Sequence, residues 1–361
     1  MTRDAFLWSM PTWVSRRAPG RRPCDVWLHL VVVVQGEKRL PTIASGEEPV
    51  RSATRRTQYA VLEVRAERVR ECPCAPPGPA RATTDRGGQM AAPDPRPNVD
   101  YGPGEAARAG EILRSIVGST VHGTNLVGQD DVDQLGVYIP PPEHLFGVAD
   151  QPRGGTHVWR TQPEGARSGP GDVDLTIFTL RRFLALATSG NPTILALFFT
   201  PDSSVVVRTK EGDRLRALAP AVVSRQAGHR FLGYLHNQFE RMAGNGKRLP
   251  NRPELIRKYS YDVKYAAYAL RLGLQGVELM TTGRLALPMR DHDRELVLSV
   301  RRGDVRKEAA HELIVGMRSA LTELLDSPDI ARISPLPAEP DTGTVTAYLV
   351  EAHRRAWEWA A

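Results

Sequence analysis

Apolar and polar positions divide the chain near residue 105. Before it, Arg, Pro, Gly and Thr dominate, and sustained helical periodicity is absent apart from a weak pattern over residues 59–69. Residues 26–34 form an apolar run that contains His29 and follows Arg21 and Arg22. No small-residue cleavage site follows at the right distance, so the run is read as a short strand or a spurious segment and not as a signal-peptide core. A Pro-rich patch leads from Cys72 to Gly87-Gly-Gln-Met90, and Ala-Ala-Pro-Asp-Pro-Arg-Pro comes next. Residues 1–100 are therefore expected to be a disordered or mis-annotated extension, with Met90 as the native initiator.

From residue 105 the pattern becomes foldable. Ala106, Ala109, Ile112, Leu113 and Ile116 have helical spacing, which predicts a helix over residues 105–117 that ends at Gly118. Residues 135–139 read as a short strand closed by Pro140 to Pro142, and residues 147–170 as a mobile loop rich in Gly, Pro, Arg and Thr. Val173, Leu175 and Ile177 alternate with Asp172, Asp174 and Thr176, the pattern of a half-buried strand over residues 172–179. A helix over residues 180–189 follows, stopped by Gly190-Asn-Pro192; residues 194–199 are a brief helix or strand, and residues 205–207 another strand.

Helical spacing then governs residues 231–243, 262–272 and 306–325, and more weakly 347–359. Residues 273–284 read as a shorter helix or turn. The expected fold class is α+β: a mixed β-sheet with flanking helices, over residues 105–225, followed by a helical C-terminal lobe over residues 226–361.

Charge changes this picture by its location. The net charge of +7 suggests a nucleic-acid binder, but residues 1–89 hold 15 Lys/Arg against 9 Asp/Glu and the remainder 33 against 32. The basic excess therefore says little about what the foldable part binds. All three cysteines (Cys24, Cys72, Cys74) precede residue 75, too few for a disulfide framework or a four-ligand zinc site, so a reducing cytoplasm is the expected setting. No apolar stretch approaches the roughly 20 residues that span a bilayer.

The candidate chemistry lies between these elements. Gly118-Ser119 offers backbone N–H groups that a phosphate can approach without an intervening side chain. Asp131-Val-Asp133 follows at the head of a strand, where residues i and i+2 point to one side and aim both carboxylates at one spot. Two hard oxygen donors together with triphosphate oxygens suit Mg²⁺ or Mn²⁺. A third carboxylate from the next strand, Asp174 or its face-mate Asp172, would complete a two-metal site.

The order Gly118-Ser…Gly123…Asp131-x-Asp-x-x-Gly-Val-Tyr138, Leu180-Arg-Arg-Phe-Leu184, Gly190-Asn-Pro-Thr193, Tyr261-Asp-Val-Lys264…Arg271, Glu278-Leu-Met-x-x-Gly283 and Leu336-Pro-x-x-Pro-Asp341 resembles nucleotidyltransferases of the DNA polymerase beta superfamily. Within it, the chain is similar to the predicted subfamily associated with RNA-repair operons, over residues 112–345. The resemblance implies transfer of a nucleoside monophosphate from an NTP to a hydroxyl. Asp131, Asp133 and Asp174 would then be metal-binding catalytic residues, and Gly118, Ser119 and Lys264 would bind the nucleotide. It also implies an RNA end as acceptor, with a small molecule or protein as the alternative; a catalytically silent nucleotide-binding regulatory protein is the competing class. Two departures stand out: Asp130 occupies a position usually held by Ser, and Ala196 one where relatives place an acid.

Other residues keep two readings. Lys264 either grips phosphate or forms a salt bridge to Glu278. His122 reads as an exposed loop histidine, Asn191 as a helix stop, and Arg301-Arg302 with Lys307 as a solvated helix start.

Overall fold

Three strands pair in antiparallel order β1-β2-β3 before residue 69: β1 (Phe6–Arg16), β2 (Cys24–Val34) and β3 (Val64–Arg68). The apolar run at residues 26–34 lies within β2, and the weak helical pattern at 59–69 gives way to β3. In this computed structural model the described residues are the backbone of those strands and residues 104–126, 128, 130–147, 155–162, 166, 168–243 and 252–358. The chain forms two units, residues 1–83 with 304–312, and residues 84–303 with 313–361.

In the second unit, Gly110 interrupts the helix expected over residues 105–117. The helix α1 (Gly104–Ala109) stops there, and β4 (Glu111–Ile116) begins. A Cβ on Gly110 would lie 2.2 Å from the Ile139 carbonyl oxygen, so only glycine lets the two segments approach. The strand carries no alternation because Ile112, Leu113, Arg114 and Ser115 are all buried. A strand covered on both faces has no period of two to read, and pairing with neighbours overrides the local helical spacing.

A short helix, α2 (Gly118–His122), leads to β5 (Val132–Tyr138), α3 (Pro142–Phe146), β6 (Thr156–Arg160), β7 (Val173–Thr179) and α4 (Leu180–Thr188). Then come α5 (Pro192–Ala196), two 3₁₀ turns over Leu197–Phe199 and Asp202–Ser204, β8 (Val205–Arg208), α6 (Lys210–Ala217) and α7 (Ala219–Val222). The five strands order as β6-β7-β5-β4-β8. β5 and β7 run parallel, in a register that sets Asp133 opposite Asp174, while the other pairs are antiparallel. β6 falls inside the stretch expected to be a mobile loop, where its short edge-strand pattern is masked by Gly, Pro and Arg.

The second half is helical, as expected: α8 (Gln226–Ala243), α9 (Pro253–Tyr259), α10 (Val263–Thr282), α11 (Asp291–Arg302), α12 (Lys307–Asp326), α13 (Ile330–Ile333) and α14 (Thr342–Ala356). The break expected at residue 273 does not occur; α10 runs straight through it. Gly273 and Gly276 are packing positions, since a Cβ on either would lie 2.7 Å from Met317 or Leu321. Asp262 caps α10, its Oδ1 accepting the N–H groups of Lys264 and Tyr265 at 3.0 and 3.1 Å. No described helix is long and apolar enough to cross a membrane.

Candidate active site

Asp131, Asp133 and Asp174 each bring a carboxylate oxygen to within 4.8 Å of the others. The parallel pairing of β5 with β7 does this by placing Asp133 beside Asp174. Asp131 stands one residue before β5 and joins from the same side. Gly118 makes the approach possible. Its φ is +65°, and a Cβ there would lie 2.0 Å from Asp133 Oδ2, so the chain passes over the carboxylate where no side chain fits.

The two candidates for the third acid separate here. Asp172 is engaged in its own loop, accepting from Thr161 Oγ1 at 2.9 Å and from the Gly169 N–H at 2.9 Å. Asp174 faces the pair and is held by Ser168 Oγ at 2.7 Å and Gln162 Nε2 at 3.1 Å, with Arg160 Nε at 3.9 Å. Gln162 and Ser168 lie in the stretch read as a loop, and nothing in their local sequence marked them.

Like charges dominate the cluster. Burial pushes the Asp133 carboxyl up to about 6, and the carboxylates of Asp131, Asp174 and Asp130 add to the rise, opposed by Arg271. Three all-oxygen donors crowded together, one of them resisting ionisation, form a donor set that fits a hard divalent cation such as Mg²⁺ or Mn²⁺. Protons compete with such a cation for Asp133. Mn²⁺ affinity, titrated calorimetrically, is expected to be level above about pH 7 and to fall up to about tenfold per unit below pH 6. An affinity unchanged between pH 7 and pH 5 would exclude Asp133 as a ligand.

Beside the acids stands a basic wall. Lys264 opens α10 and Arg301 ends α11, and both reach Asp130: Nζ to Oδ1 is 3.2 Å and Nη2 to Oδ1 is 2.5 Å. The Leu126 N–H fixes Oδ2 at 2.7 Å. Burial alone would raise the Asp130 carboxyl, but Leu126, Arg301 and Lys264 together hold it below its ordinary value. The departure from Ser at this position thus ties two cations of the helical lobe to the head of β5. Arg301 is only 12% exposed, so it is no solvated helix start. Lys264 pairs with Asp130 and not with Glu278, whose carboxylate takes the Ala286 N–H and Arg290. Lys264 still keeps 35% of its side chain exposed, enough to meet a ligand.

His122 is buried, not exposed, and its Nδ1 lies 3.1 Å from Gln275 Nε2. Burial, with help from Arg271, depresses its pKa well below the ordinary value and keeps the ring neutral. Asn191 caps α5 through Oδ1 and donates from Nδ2 to the Tyr234 hydroxyl at 3.0 Å. Acids, Gly118, Ser119 and the basic wall all line one cleft of about 1100 Å³. Arg252, Arg271, Arg301, Tyr265 and Tyr268 line it too. Of these the sequence pattern placed only Arg271 in a motif and read Arg301 as a solvated helix start, because all but Arg271 gain their meaning from packing between distant helices.

A mixed sheet bearing convergent carboxylates, backed by a helical lobe, is the arrangement of a polymerase-beta-type nucleotidyltransferase. The chain belongs to the RNA repair pathway DNA polymerase beta family, whose model matches residues 105–333. A nucleotidyltransferase-like protein from Exiguobacterium sibiricum 255-15, known from a crystal structure, is 13% identical over 70% of this chain and 76% of its own, with a TM-score of 0.25. A search of curated proteins gives no match.

Proposed function

We propose that the chain transfers a nucleoside monophosphate from an NTP to a hydroxyl at an RNA end and releases pyrophosphate. The observation that carries this is the meeting of Asp131, Asp133 and Asp174 in one cleft with Lys264, Arg271 and Arg301. Mg²⁺ or Mn²⁺ held by the three carboxylates would neutralise triphosphate charge and acidify the attacking hydroxyl. The catalytic sheet, residues 105–225, supplies the acids, and the helical lobe, residues 226–361, supplies the cations.

Each side chain has a share in this reaction. Gly118 and Ser119 let phosphate oxygens approach the backbone. Lys264, a compact charge, grips the β- and γ-phosphates, with Arg301 held beside it by Asp130. The acceptor oxygen bonds to the α-phosphorus, the bond from that phosphorus to the β-phosphate oxygen breaks, and pyrophosphate leaves with the bonding electrons. Asp174, oriented by Ser168 and Gln162, takes the hydroxyl proton. RNA as the acceptor is supported by the family's designation.

Incubation with each α-labelled NTP, Mg²⁺ or Mn²⁺, and a mixture of RNA, tRNA and protein tests this. Label is expected in the RNA or tRNA fraction with equimolar pyrophosphate. Label on protein alone would overturn the acceptor, and NTP binding without any transfer would favour a silent regulatory protein. Lys264→Met is expected to raise the NTP KM about tenfold, roughly 1.4 kcal/mol, with a smaller change in kcat. An unchanged KM would remove Lys264 from the phosphate site.

A further inference from the structure

Residues 241–271 hold eight Lys/Arg against two acids, together with four of the chain's nine tyrosines. Since residues 90–361 carry 33 basic against 32 acidic groups, what remains outside this stretch is 25 against 30. The foldable part is therefore not evenly neutral; its positive charge is gathered on one segment. Its described residues are the end of α8, then α9 and the first half of α10, and Arg252, Glu254, Lys264, Tyr265, Tyr268 and Arg271 from it form one wall of the cleft.

Along this segment, within the wall and beside it, cationic groups lie over rings. Arg241 and Arg252 lie 5.6 and 5.1 Å from the Tyr265 centroid, Arg271 lies 4.6 Å from that of Tyr268, and Lys258 Nζ lies 4.9 Å from that of Tyr259. Of the two acids, Asp262 is buried at the head of α10 and contacts Arg252 at 3.5 Å, so it adds little negative charge to the surface. Tyr265 and Tyr268 are half-buried and line the cleft with Tyr234, Arg252 and Arg271. Lys264, Tyr268 and Arg271 follow at i, i+4 and i+7, so one helical face runs from this array to the acidic cluster.

We propose that this wall binds a single-stranded polynucleotide, with bases stacked among Tyr265, Tyr268 and the arginines and phosphates on Arg241 and Arg252. It thereby presents the strand's end to the carboxylates. Aromatic rings interleaved with cations bind unpaired bases without regard to sequence, whereas a duplex hides its base faces. The cleft, about 1100 Å³, lies at the top of the roughly 300–1,000 Å³ range typical of a small-molecule site. That leaves room for an acceptor end beside a nucleotide. The proposal rests on the nucleotidyl-transfer reading for the purpose of the bound strand.

Binding can be measured apart from transfer. A fluorescein-labelled single-stranded RNA of about ten nucleotides is titrated with the full chain, in EDTA and without NTP, and read by anisotropy. Binding is expected to weaken as salt rises. It is also expected to weaken about fivefold or more in Tyr265→Ala and in Arg252→Ala. Arg241→Glu, on an exposed side chain where folding is not at stake, is expected to act likewise. Asp131→Ala/Asp133→Ala is expected to bind the RNA at least as well as the unaltered chain.

Three results would overturn the proposal: no binding by the unaltered chain, binding of a duplex as tight as that of the single strand, or unchanged binding by Arg241→Glu and Tyr265→Ala. Transfer of label to a small molecule or protein without RNA binding would remove this surface and leave nucleotidyl transfer standing. RNA binding lost in the wall variants, in a chain that never transfers label, would keep the surface and remove the transfer.

Discussion

Asp133→Asn is expected to lower nucleotidyl transfer about a thousandfold, roughly 4 kcal/mol, while making the metal-free protein more stable at pH 7. Both effects come from one charge. Burial and the carboxylates of Asp131, Asp174 and Asp130 raise the Asp133 pKa from 3.8 to about 6. At pH 7 the folded, metal-free chain thus holds an ionised group in a site that disfavours it. The cost is on the order of 3 kcal/mol. Because the folded-state pKa lies above the unfolded value, this group's contribution favours folding below about pH 4. That contribution is lost as pH rises through about 6.

Asparagine keeps the shape and removes the charge. Urea denaturation in EDTA is expected to show the variant gaining on the unaltered chain between pH 4 and pH 7, and the gain disappearing when Mn²⁺ is added. A variant less stable than the unaltered chain at pH 7 in EDTA would contradict the electrostatic account of the site.

Gly118→Ala is expected to reduce transfer about a hundredfold or more, since displacing a reacting group by about 1 Å can have that effect. The new methyl would lie 2.0 Å from Asp133 Oδ2, 2.8 Å from its Cγ and 2.9 Å from its Cβ, so the carboxylate must move. The left-handed conformation at φ +65° adds about 1–2 kcal/mol of backbone strain. Gly128→Ala separates the two causes. Its φ is +72°, yet nothing lies within 4 Å of the added Cβ. Gly128→Ala should therefore show the strain in thermal unfolding with transfer nearly intact. Equal losses of transfer in the two variants would mean that strain, and not displacement of Asp133, is responsible.

The parts of the fold that were legible in the sequence are those whose burial follows one regular period. β7 alternates because one of its faces is buried: Val173, Leu175 and Ile177 point into the core and Asp174 away from it. α8 and α10 carry long amphipathic patterns. β4 was misread as helix because both its faces are covered. α11 escaped because half of its sequence is charged and only Val297 and Val300 are buried.

The candidate site divides in the same way. Asp131, Asp133 and Gly118 are close in sequence and bear a recognisable spacing. That Asp174, and not Asp172, stands beside Asp131 and Asp133 follows from the pairing of β7 with β5, which no local pattern shows. The meeting of Arg301 with Asp130, across 171 residues, exists only after the helical lobe has packed. His122 in a Gly-rich turn looked exposed because nothing local shows that α10 brings Gln275 over it.

Metal-dependent NTP binding, measured by calorimetry without acceptor in the unaltered chain and in Asp131→Ala/Asp133→Ala, tests the central claim most directly. The three-carboxylate site predicts that the unaltered chain binds NTP with Mn²⁺ and much less in EDTA, and that the double variant loses the metal-dependent part. Metal-dependent NTP binding that survives in the double variant would contradict it.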